Sequence, residues 1–127
     1  MSRHILAAGL IISVAYAVVH IAFADATLLT GAAPLRLSVR NYLGNVLGSG
    51  MVWGIFSYLM GKEFPGRWLK ALLAGTGIIV MMLALHYTLL VVFSVYNWRE
   101  AFEYNAQWFV LALISGPVLG LAGAASA

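Results

Sequence analysis

The chain has 127 residues, of which 63% are hydrophobic and 9% charged, with a formal net charge of +3. One small soluble core cannot hide that much apolar surface, so lipid must be the main solvent, and a hydrocarbon layer of ~30 Å, needing about 20 apolar residues per helix, allows four crossings and no soluble domain. The lack of cysteine excludes disulfides, thiolate metal sites, cysteine-held iron–sulfur clusters and c-type haem attachment.

The first apolar run is Ile5 to Ala24, preceded by Ser2-Arg3-His4 and ended by Ala22-Phe23-Ala24 before Asp25. A basic start, an apolar stretch and an A-x-A site also make a signal peptide, but this run is longer than a typical signal core and is read as a retained helix. Further runs cover Tyr42 to Met60, Ala71 to Val95 and Ala106 to Ala124. They are continuous, without the in-out alternation of membrane strands, and the chain is too short to close a barrel. The expectation is an all-α integral membrane protein with four transmembrane helices in a single domain over residues 1–127.

The connections differ in chemistry. Leu35 to Arg40 alternates apolar and polar residues and suits the membrane surface, whereas Gly61-Lys62-Glu63-Phe64-Pro65-Gly66-Arg67 joins turn formers to charge and suits solvent. Trp98 to Tyr104 mixes aromatic rings with Arg99, Glu100 and Glu103, a composition suited to the headgroup region. With four crossings, Arg3, Lys62, Arg67 and Lys70 fall on one side and Arg36, Arg40 and Arg99 on the other, which places both termini in the cytoplasm, with a bacterial inner membrane as the expected location. The seven Lys and Arg are what topology demands, and nucleic acid is not an expected partner.

A shift of 66 residues lays the first pair of helices on the second without a gap. Leu6, Ala8, Gly9, Ile12, Val14 and His20 then meet Leu72, Ala74, Gly75, Ile78, Val80 and His86, and Ser49-Gly50-x-Val52-x-Gly54 meets Ser115-Gly116-x-Val118-x-Gly120. Apolar sequences match often by chance, so a tandem duplication over 5–61 and 71–127 stands beside coincidence. His20 and His86 each lie about 22 Å along their helices, at ~1.5 Å per residue.

Two histidines at one depth can clamp a b-type haem iron between them, with glycines making room for the macrocycle, or support another metal with Asp25, or hydrogen bond to a quinone. Against this stands the plain role of a neutral histidine bonded to a neighbouring carbonyl or serine. Asp25, Asn41, Asn45 and Tyr87 form an outer polar site that serves either as a ligand mouth or as an ordinary interface. Gly44, Gly48, Gly50 and Gly54, echoed by Gly116 and Gly120, let helices approach closely within the chain or against another subunit. Met81 and Met82 read as packing residues.

No Asp, Glu, Lys or Arg occupies the middle of an expected crossing, and phosphate-loop, metalloprotease and nucleophile-elbow motifs are missing. No catalytic residue is assigned. The leading expectation is a small subunit of a larger inner-membrane complex, partnered by lipid, by other membrane subunits or by itself, with His20 and His86 as haem ligands. The alternatives are a transporter or channel for a neutral solute, a structural or assembly subunit without cofactor, and a membrane enzyme acting on a lipid or quinone.

Overall fold

A computed structural model describes residues 1–22, 42–43 and 46–127. Among them are four α-helices, α1 (Ser2–Ala22), α2 (Gly50–Lys62), α3 (Trp68–Val92) and α4 (Ala106–Ser126), and a π-helical segment at Arg99–Glu103. The described residues contain no strand. Asp25, Asn41, Gly44 and Asn45, together with the stretch expected on the membrane surface, lie outside the described residues.

Three helices, α1, α3 and α4, are long and apolar enough to cross a membrane. The second apolar run departs from the expected full crossing. Short helical stretches at 42–43 and 46–47 precede it, and α2 itself starts only at Gly50 and has 13 residues, about 20 Å at 1.5 Å per residue and short of a ~30 Å core. The break has a local cause. Ser49 is extended (φ −66°, ψ 136°) and its hydroxyl accepts from the Val52 amide at 3.3 Å, so it caps a new helix instead of continuing an old one.

The third run also shifts, starting at Trp68 and ending at Val92 where the pattern suggested 71–95. Its end is set by backbone geometry. Ser94 is left-handed (φ 58°), the Val95 amide reaches the Leu90 carbonyl at 2.9 Å and the Ser94 amide reaches that of Val91 at 3.0 Å. Those two bonds make a Schellman stop, which apolar residues continuing to Val95 do not reveal.

Direction follows from the contacts. Ala71 and Thr76 on α3 meet Gly120 and Gly116 on α4, which makes that pair antiparallel, while Gly54 meets Leu119 and Lys62 meets Gly123, so α2 runs with α4. Gly9 against Met82 and His20 beside His86 set α1 parallel to α3. The start of α1, the α2–α3 turn and the end of α4 therefore share one end of the bundle.

Glycine backbones fit α2, α3 and α4 together. A Cβ on Gly75 would stand 2.7 Å from Gly120 Cα and 2.8 Å from the Gly116 carbonyl, and one on Gly116 would stand 2.7 Å from Thr76 Cα. Gly61 packs against the Gly120 backbone and Gly123 against that of Tyr58. In lipid, where the hydrophobic effect does not draw helices together, such backbone contact supplies the dispersion energy that does. Ser57 adds an interhelical bond, donating its hydroxyl to the Gly116 carbonyl at 2.9 Å. Helix α4 continues through Pro117.

The two halves are not packed alike. Helix α3 packs extensively on α4, but α1 touches α2 much less and rests mainly on α3. Ile11, Val14 and Val18 on α1 and Val110, Leu113 and Ile114 on α4 remain exposed, as helices apolar all round require when their outer faces meet lipid.

Candidate functional site

The helix ends away from the termini enclose the site. Tyr16 and His20 are one helical turn apart on α1 and so share a face. That face meets α3 at His86, which is 1% exposed. The imidazoles of His20 and His86 stand with centroids 5.3 Å apart and planes at 48°. Tyr16 contacts both, stacked on His86 at 4.3 Å and 11° and tilted against His20 at 4.6 Å. Trp53 on α2 presents its edge to Tyr16 and His86, at 6.1 and 6.2 Å, and donates its indole N–H to the Leu47 carbonyl, tying α2 to the segment before it.

These rings line a cavity of about 260 Å³, completed by Gly48 and Gly50 at the start of α2, Ile79 and Leu83 on α3, and Asn105, Trp108, Leu111 and Ser115 from the fourth helix and its entry. The lining is apolar and aromatic with a few polar groups, the composition of a small-molecule site. Asn105 donates its side-chain amide to the Glu100 carbonyl at 2.8 Å, and Ser115 donates to that of Leu111 at 2.7 Å, so both keep oxygen lone pairs for an occupant. The Nδ1 atom of His86 is buried without a hydrogen-bond partner. A buried polar atom left unsatisfied is costly, and it calls for an explanation.

Of the residues singled out from the sequence, His20, His86, Tyr87, Gly48 and Gly50 all line this cavity. Tyr87 is 7% exposed and turns its ring edge-on to His86 at 5.1 Å, linking the site to Phe102 of the π-helical segment at 6.1 Å. Gly54, Gly116 and Gly120 lie in helix contacts, whereas a Cβ on Gly50 would meet nothing within 4 Å. Tyr16 and Trp53 were not anticipated. Tyr16 had a legible signal, its four-residue spacing from His20, but Trp53 reaches the site only because the preceding break starts α2 at Gly50.

The pair of imidazoles also permits a test of the haem expectation. Axial ligands approach a metal from opposite sides, with the macrocycle in the plane between them. Tyr16 is nearly equidistant from both rings and therefore stands in that plane, so a haem between His20 and His86 requires Tyr16 to swing aside. Among the described residues no group of three or more His, Asp or Glu could hold a metal ion. No family model, curated protein or solved structure matches this chain.

Proposed function

We propose that this chain is a small integral-membrane subunit that holds a flat, largely apolar ligand in the pocket between α1, α2, α3 and α4. The observation that carries the reading is the unpartnered Nδ1 of the buried His86, in the wall of an aromatic cavity. A ligand oxygen there would satisfy an atom that the fold leaves unsatisfied. The exposed apolar faces of α1 and α4 suit lipid and partner helices equally, so they are compatible with a subunit role. Arg3, Lys62, Arg67 and Lys70 sit at the end that holds both termini, which supports a cytoplasmic position for that end, in a bacterial inner membrane.

The second reading is a b-type haem held by His20 and His86, prompted by two imidazoles meeting at one level, although centroids 5.3 Å apart are closer than the roughly 6 Å that two nitrogens ~2 Å from one iron require. The position of Tyr16 weighs against it. Transport of a neutral solute draws less support, because backbone contacts of Gly61, Gly75, Gly120 and Gly123 fill the space between α2, α3 and α4 toward the other end.

The test is a reduced-minus-oxidised visible spectrum, together with analysis of an organic extract, on the gently purified full chain and its His86→Ala variant. A small extractable ligand that His86→Ala loses supports the first reading. A b-type haem spectrum lost with either histidine moves the assignment to the second. A colourless chain with an empty extract, from well-folded protein, sinks both.

A further inference from the structure

We infer that the pocket takes a quinone-class headgroup, one ring oxygen of which is held between the first backbone amides of α2 and the imidazole of His86. This rests on the ligand-pocket reading above and names the chemistry of its occupant.

The break before α2 is the starting point. A helix that begins inside a membrane protein exposes its first amides, and lipid offers them no partner. Ser49 satisfies the amide of Val52, and those of Gly50 and Met51 belong to the first turn, which has no intrahelical acceptors. Gly48 and Gly50 both line the cavity, and the open space beside Gly50 lets an occupant approach the backbone. Half-helix amino ends of this kind receive electron-rich groups in membrane proteins. The second, independent observation is His86, 1% exposed, lining the same cavity, with Nδ1 lacking a partner.

Charge decides the class of headgroup. Among the described residues no Lys or Arg lines the cavity, and a helix end with about half a unit charge beside imidazole does not offset a full carboxylate or phosphate removed from water. A neutral acceptor oxygen is therefore favoured. Size and shape narrow it further. An apolar cavity of ~150 Å³ accommodates benzene, so 260 Å³ walled by Trp53, His86 and Trp108 suits one substituted six-membered ring. An imidazole suits both redox forms of such a ring, since Nδ1 donates to a carbonyl oxygen in one neutral tautomer and accepts from a phenolic hydroxyl in the other. The α2 amides donate to the oxygen in either form. An isoprenoid tail would leave between apolar helices into lipid.

The experiment titrates the full chain in detergent with a benzoquinone carrying one isoprenyl unit, and in parallel with palmitate, reading quenching or enhancement of tryptophan fluorescence. Gly50→Leu puts a side chain into the space before the α2 amides, where a Cβ meets nothing within 4 Å, His86→Ala removes the imidazole, and Gly77→Ala, whose Cβ also meets nothing within 4 Å, is the control. Saturable quinone binding, weakened about tenfold or more by Gly50→Leu and by His86→Ala but unchanged by Gly77→Ala, is the expected result. Should Gly50→Leu fail to fold by circular dichroism, Gly50→Pro removes one amide at the first helical position, where proline is tolerated and the preceding Ser49 is already extended, and carries the same test. Quinone binding indifferent to the α2 variants overturns the inference but leaves the ligand pocket standing. Tighter binding of palmitate also overturns it, in favour of an acidic headgroup. A wild-type chain that binds no quinone overturns it outright, and the organic extract then judges the pocket reading separately.

Discussion

The phenol of Tyr16 lies almost flat on the imidazole of His86, 11° from parallel with centroids 4.3 Å apart, and joins α1 to α3 at the level of the pocket. Helix α1 rests mainly on α3, so this stack is a principal fastening of the first helix. Tyr16→Ala removes a ring from a packed cluster and is expected to cost about 3 kcal/mol, whereas Tyr16→Phe keeps the ring contacts and should cost clearly less. Reversible unfolding in mixed micelles measures both, and equal losses would show that the stack is not the fastening.

Glycines of similar sequence context should divide sharply. Gly120→Ala sets a methyl group against the Ala71 carbonyl, and Gly75→Ala sets one against Gly116 and Gly120, so either must push α3 and α4 apart. A loss of about 2 kcal/mol or more is expected for each, as in overpacked cores. Gly77→Ala meets open space and should leave stability unchanged or raise it by about 0.5–1 kcal/mol through helix propensity. Thermal unfolding of the three variants checks the contrast.

Ser94 holds a left-handed conformation (φ 58°) at the Schellman stop of α3. A side chain there carries a steric cost that glycine avoids, so Ser94→Gly is expected to stabilise the chain by about 1 kcal/mol. A destabilised Ser94→Gly variant would mean that the serine side chain makes a contribution larger than this backbone term.

The entry to the π-helical segment is closed reciprocally. The Glu100 amide donates to the Asn97 side-chain oxygen and the Asn97 amide donates to the Glu100 carboxylate, each at 2.9 Å. Asn97→Ala should therefore speed amide exchange over Arg99–Glu103, at a cost of about 1 kcal/mol. Arg99→Ala breaks only the exposed ion pair with Glu103 and should cost little, about 0.5 kcal/mol or less. Hydrogen exchange that responds in the opposite order would refute this ranking.

Because the chain lacks cysteine, single cysteines report topology directly. Labelling from one side of sealed vesicles should reach Ser2→Cys and Ala127→Cys together, and Tyr104→Cys only from the other side. Opposite accessibility of the two termini would exclude the shared end that the helix directions require.

Much of this architecture is determined by the sequence through solvent preference alone. Runs apolar on every face have no stable home in water, so the lipid environment, the helical class and the approximate places of α1, α3 and α4 can be read from composition and run length. The matched depths of His20 and His86 could be read in the same way, since helical rise converts residue count into height. What the tertiary structure decided depends on single backbone positions and on orientation about each helix axis, which hydrophobicity does not encode when all faces are apolar. Ser49 turns an apparent full crossing into a helix starting at Gly50, and Ser94 ends α3 three residues before its apolar run does. Only the packing of α1 on α3 brings Tyr16 and His20 together against His86, and only the break before α2 brings Trp53, Gly48 and Gly50 to the wall of the same pocket.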